Sequence, residues 1–197
     1  MSKTIFRETL HLVIIVLAAV LSLSLVHELT KDRISSAEDN DRIQSYKTVF
    51  AEAESFEDTG IAPVTNSDGI SVDAVLLARN AAGETIGYVM SVTTPLGYGG
   101  DITASVGFSL QGKITGMTVT SMSETPALGA KCTEKEWQAQ FAETGGFPVV
   151  YVKNGKTADN EIDAISGATT TTKAVVGLVN AAHEYVVSNL INGGAEN

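Results

Sequence analysis

Hydroxyl-bearing and small side chains crowd one stretch near the C-terminus, Asp163-Ala164-Ile165-Ser166-Gly167-Ala168-Thr169-Thr170-Thr171-Thr172. Ser166, Gly167 and Ala168 let a backbone approach a bulky ligand closely. Behind them, Lys173 to Leu190 places apolar residues at Val175, Leu178, Val179, Ala182, Tyr185, Val186 and Leu190, the period of a helix with one buried face. A threonine hydroxyl in the first turn of such a helix meets unpaired backbone N–H groups and the positive end of the dipole. A phosphate diester keeps one negative charge and is favoured there. The hydroxyl is a poor nucleophile, so joining it to phosphorus needs activation from outside. The plainer reading of Ser-Gly-Ala-Thr is an N-cap and turn ahead of an ordinary helix.

Two other stretches carry candidate chemistry. Ser123-Glu124-Thr125-Pro126-Ala127-Leu128-Gly129-Ala130-Lys131 reads, taken alone, as a Pro-containing strand-to-helix loop. Leu96-Gly97-Tyr98-Gly99-Gly100-Asp101-Ile102 is glycine-rich and permits close backbone approach, but lacks the Gly-x-x-x-x-Gly-Lys pattern of a nucleotide loop. Lys131 and Lys173 are the cations nearest these motifs in sequence, and lone lysines are usually solvated. The single cysteine, Cys132, rules out an intramolecular disulfide, a Cys-ligated iron–sulfur cluster and a four-thiolate zinc site within the chain. His11, His27 and His183 lack ligand spacing, so no metal site is expected. A net charge of −10 with no basic run argues against nucleic-acid binding.

The elements that must position these residues form an α+β pattern. Strands are expected at Ile70–Arg79 and Thr85–Thr94 around the turn Asn80-Ala81-Ala82-Gly83, then at Ile102–Leu110 and Lys113–Ser121 around Gln111-Gly112. Thr133-Glu134-Lys135-Glu136 fits a capping box opening a short helix through Trp137 and Phe141, both expected in the core. Phe147–Val152 reads as a last strand before the Asn154-Gly155 turn. Strands followed by helices predict an antiparallel sheet with helices packed on it. Upstream, Thr30 to Glu54 suits a connecting helix that docks on the domain through Ile34, Ala37, Ile43, Tyr46, Val49 and Phe50, and Glu54–Gly69 reads as loop.

Residues 10–26 contain no Asp, Glu, Lys or Arg and sit at the short end of what spans a bilayer. Lys3 and Arg7 precede the run; Lys31 and Arg33 follow it among Glu28, Asp32, Glu38 and Asp39, so charge alone orients it weakly. A retained transmembrane anchor is favoured over a cleaved signal peptide, whose apolar core is usually shorter. The expected organisation is an anchor over 1–29, a connecting helix and loop over 30–69, and the main domain over 70–197.

The pattern Asp163-x-x-Ser166-Gly167-Ala168-Thr169-x-Thr171 resembles the flavinylation site of the FMN-binding domain family, found in the G subunit of Rnf ferredoxin:NAD oxidoreductase complexes and the C subunit of Na+-pumping NADH:quinone reductases. Glu124, Thr125, Pro126, Leu128 and Gly129 match that family's second motif, with departures at Ala127, where glycine is usual, and Ser123, where histidine is common. Alanine tolerates positive φ poorly, which argues against that backbone at Ala127.

The resemblance implies FMN held covalently through a phosphoester on Thr171. It implies cofactor contacts from Glu124, Thr125, Leu128, Gly129, Lys131, Ser166, Gly167, Ala168, Thr169 and Thr170, with Leu128 packed on the isoalloxazine. It also implies an Mg-dependent flavin transferase that splits FAD and recognises Asp163, Ser166, Gly167, Ala168 and Thr169. The implied role is electron relay in an ion-translocating membrane complex whose other membrane, iron–sulfur and flavin subunits do the coupling, with the domain outside the cell membrane. The compact chain favours the Rnf G subunits; the quinone-reductase C subunit, a stand-alone flavinylated domain and a tethered sensory module are the alternatives.

Overall fold

A computed structural model describes residues 2–193. The chain divides into two units, Met1–Arg42 and Ile43–Asn197. Helix α1 runs Ser2–Val49, so the connecting helix expected over 30–54 is the end of α1 rather than a separate element. Within it, Phe6–Thr30 is long and apolar enough to cross a membrane and buries nothing. The side chains of Lys3, Lys31, Asp32, Arg33, Ile34, Ala37, Glu38 and Asp39, on which part of the anchor and docking expectations rests, lie outside the described residues.

In the second unit, β3 (Ser71–Arg79), β4 (Thr85–Thr94), β5 (Ile102–Ser109) and β6 (Ile114–Ser121) form an antiparallel meander within a residue or so of expectation. Both turns have a chemical cause. Asn80 Oδ1 accepts from the N–H groups of Ala82 and Glu84, and Gly83 takes φ 80. Gly112 takes φ 78 to close the β5–β6 hairpin. The stretch expected as loop contributes two short strands: β1 (Ser55–Asp58) and β2 (Val64–Thr65) both pair with β3.

One face of the sheet packs on α2 (Lys135–Ala142) and α3 (Thr169–Tyr185), burying Met90, Val92, Val106 and Phe108 against Val175, Leu178, Val179 and Ala182. The other face holds Leu76, Ala78 and Val89 against Tyr46, Val49, Phe50 and Ala53 at and just beyond the end of α1. Here the strands come close to backbone. A Cβ on Gly116 would lie 2.8 Å from Val49 Cα, and Thr115 Oγ1 donates to Val49 O at 2.7 Å. Ile43 is exposed and takes no part in this docking.

Two local expectations, the capping box and the extent of the last strand, are not met. The capping box does not form: Glu134 occupies the N-cap without a side-chain bond, while Thr133 Oγ1 donates backwards to Ala130 O. The last strand is shorter, β7 (Val150–Val152), and pairs in parallel with β8 (Glu161–Asp163), so Asp163 closes a strand rather than opening a helix. Trp137 and Phe141 are buried as expected, with rings 5.3 Å apart. Trp137 Nε1 donates to Asp163 O at 2.8 Å, and Asp163 N donates to Gln140 Oε1 at 2.8 Å, so α2 fixes the strand that leads into the motif.

Candidate functional site

From β8 the chain turns through Ile165–Ala168 and enters α3 at Thr169. Gly167 takes φ 79, a conformation that side chains resist. Ala168 is the N-cap and offers no side-chain cap, so the first-turn amides stay available. Thr172 closes the turn twice over: its Oγ1 accepts from Ile165 N at 3.1 Å and donates to Ala168 O at 2.9 Å. That leaves Thr169 and Thr170 exposed, while Thr171 is turned inwards with 1% of its surface exposed.

The second motif meets it there. Thr171 Oγ1 donates to Glu124 Oε2 at 2.7 Å, a contact across 47 residues. Glu124 is buried, and its other oxygen accepts from Gly99 N at 3.1 Å. The glycine-rich turn therefore supports the carboxylate from behind. Gly129 passes so close that a Cβ there would lie 2.7 Å from Thr171 Oγ1 and closer still to Glu124. The loop turns through Ala127 at φ 61, correcting the expectation that alanine would forbid that backbone. Leu128 reaches over Gly167, where a Cβ would stand 3.1 Å from its Cδ2.

These residues enclose a cavity of about 470 Å3 lined by Tyr98, Glu124, Thr125, Leu128, Gly129 and residues 167–171. Its size lies within the range of cofactor sites. Ser166 and Lys131 are exposed and do not line it, and Asp163 sits half-buried at the end of β8. A larger cavity of about 620 Å3 lies beside the same first turn, lined by Thr169, Thr170 and Lys173 but not by Thr171. The smaller one fits the candidate chemistry better because it alone holds the inward hydroxyl and the second motif.

Cys132 is buried behind the loop and does not line the cavity. Burial, and secondly the nearby Glu124 charge, push the Cys132 thiol up to about 11. No cluster of metal-ligating side chains is present among the described residues. Sequence reasoning did not single out Thr172 or Gly99. The small-residue context of Gly99 was visible, but its amide's partner lies 25 residues away.

An FMN-binding domain model matches residues 97–184, a span that includes both motifs and the glycine-rich turn. The G subunit of a Na(+)-translocating ferredoxin:NAD(+) oxidoreductase complex from Acetobacterium woodii is 31% identical over 186 residues, covering 90% of this chain and 89% of that one. This chain belongs to the family of these G subunits. Another member, the G subunit of an ion-translocating oxidoreductase complex from Methanosarcina acetivorans, is 32% identical over 190 residues and covers 94% and 96% of the two chains. The crystal structure of Shewanella oneidensis NqrC shares the fold, with a TM-score of 0.50 and 18% identity over 68% of this chain and 67% of that one. The likeness to the G subunits thus covers nearly the whole chain.

The cavity suits FMN in volume and in its glycine-cleared walls. The Glu124 carboxylate on Thr171 Oγ1 does not suit an attached diester, because both are anionic.

Proposed function

We propose that this chain is the electron-carrying G subunit of an ion-translocating ferredoxin:NAD+ oxidoreductase of the Rnf type, working through FMN joined by a phosphoester to Thr171. One juxtaposition carries the reading: an inward threonine hydroxyl in the first turn of α3, inside a cavity made by two motifs far apart in sequence. FMN bound there would supply the uptake and release of electrons, singly or in pairs. Positioning falls to the chain. Thr171 Oγ1 is the anchor, and the first-turn amides of α3 are the donors offered to a phosphate.

Gly167 and Gly129 keep Cβ atoms out of the space. Leu128 and Tyr98 offer an aliphatic and an aromatic surface to the ring, both largely exposed beside the cavity. Thr125, Ala168, Thr169 and Thr170 line the remainder, with Ser166 and Lys131 within two residues of lining positions. Asp163 and residues 166–169 are assigned to recognition by an FAD- and Mg-dependent flavin transferase.

Residues 10–26 of the anchor carry no Asp, Glu, Lys or Arg, the groups that usually mark an ion path, so ion movement is assigned to partner subunits. The domain is placed on the outer side of the membrane, where a covalent tether prevents loss of the cofactor. Full-length chain made with an active flavin transferase should carry flavin fluorescence that survives a denaturing gel, and Thr171→Val should not. A fluorescent Thr171→Val band, or a dark wild-type band beside an active transferase, would refute the assignment.

A further inference from the structure

The acceptor hydroxyl is hidden in the unmodified chain. Thr171 is 1% exposed and Glu124 6%. The Oγ1 proton is committed to Glu124 Oε2 at 2.7 Å, and a Cβ on Gly129 would stand 2.7 Å from the same oxygen. Attachment requires Thr171 Oγ1 to reach the FMN-side phosphorus of FAD. The Oγ1–P bond forms, the P–O–P bridge breaks, AMP leaves with the bridging oxygen, and the hydroxyl proton passes to a base of the transferase. Thr171 borders the cavity, but with the Glu124 carboxylate 2.7 Å from Oγ1 a phosphorus centre and its anionic oxygens cannot take up a bonding position on that atom. Once the bond is made, Oγ1 has no proton to give, and a diester charge stands where the carboxylate was.

We propose that Glu124 is a latch on Thr171: the loop 123–131 closes over the acceptor before modification and must swing off α3 for the transferase to act. Glu124 afterwards yields its place to the phosphate. This rests on the reading of Thr171 as the attachment point. The loop is built to open. The Glu124 carboxylate itself is held by two hydrogen bonds, from Thr171 and Gly99, while Gly129 keeps the far end of the loop buried. The closed loop also keeps Ala127 at φ 61, a backbone that disfavours alanine and so favours release. Glu124 makes no ion pair among the described residues, so no cation would hold it back.

Two substitutions should therefore move the rate of modification in opposite directions. Glu124→Gln loses the charge-assisted bond and should acquire FMN roughly tenfold faster than wild type. Ala127→Gly relieves the strained turn, steadies the closed loop and should be modified roughly threefold more slowly. Val106→Ala, a cavity in the core of β5, lowers global stability and should leave the rate near wild type.

The measurement is the time course of mass gain by full-length chain in detergent with flavin transferase, FAD and Mg. A Glu124→Gln rate equal to or below wild type overturns the latch, as does Val106→Ala matching the acceleration. In either case a modified wild type leaves the attachment reading standing. A wild type that gains no mass beside an active transferase removes both.

Discussion

Thr172 does as much for the site as the residue beside it. Its hydroxyl bonds both Ile165 N and Ala168 O, fixing the turn that presents Thr171 inwards. Thr172→Val keeps the shape and removes both bonds, leaving a buried amide without an acceptor. It should destabilise the domain by about 1–3 kcal/mol, read as a lower urea midpoint at unchanged slope. Gly129→Ala should disturb the site more than the fold, because its Cβ would collide with Glu124 and Thr171. The absorbance spectrum of the attached flavin should shift from wild type while far-UV circular dichroism is retained.

At this scale the candidate stretch 163–172 stood out in the sequence because its residues are contiguous. The pairing of Thr171 with Glu124 was not, since only folding brings positions 47 apart into contact. The positive φ at Ala127 was missed because the propensity of alanine argues the other way, and the loop overrides it.

Among the elements, β3 to β6 were readable from runs of Val, Thr and Ile between glycine-bearing turns. β1, β2 and β8 were not, having two to four residues each and no alternation of their own to detect. Their pairing comes from β3 and β7. The seat of the α1 end on the sheet depends on small residues, and Gly116→Ala would drive a Cβ into the backbone of Val49. A loss of about 1–3 kcal/mol is expected, with faster amide exchange concentrated in β5, β6 and residues 43–53.

His183 on α3 stacks on Phe147, ring centroids 3.3 Å apart, and burial holds its pKa below the usual imidazole value. Folding therefore favours the neutral ring. Its contribution is complete above the unfolded pKa of about 6.5 and declines as pH falls through that value toward the lower folded one. Denaturation midpoints should drop from about pH 8 to about pH 5.5, and less so in His183→Gln. Equal drops in both would contradict the assignment.

For the molecule as a whole, strands followed by helices gave the α+β architecture correctly, and the apolar run at the N-terminus is the part of α1 able to cross a membrane. α3 with its continuation is also apolar enough to pass that test, yet it is a core helix covering the sheet. Deleting residues 1–42 should release the remainder from membranes in a flotation assay, because among the described residues nothing apolar on that scale is left exposed. Isolated chain, even when flavinylated, should show no ferredoxin:NAD+ turnover, since its one cysteine cannot hold an iron–sulfur cluster and residues 10–26 carry no Asp, Glu, Lys or Arg. Turnover by the lone chain would contradict that division of labour. The most direct measurement is the mass of the proteolytic peptide containing Thr171 from membranes of the native host. A gain equal to FMN less one water is predicted, with fragment ions placing it on Thr171; an unmodified peptide, or the same mass on Thr169 or Thr170, would contradict the assignment of Thr171 as the flavin anchor.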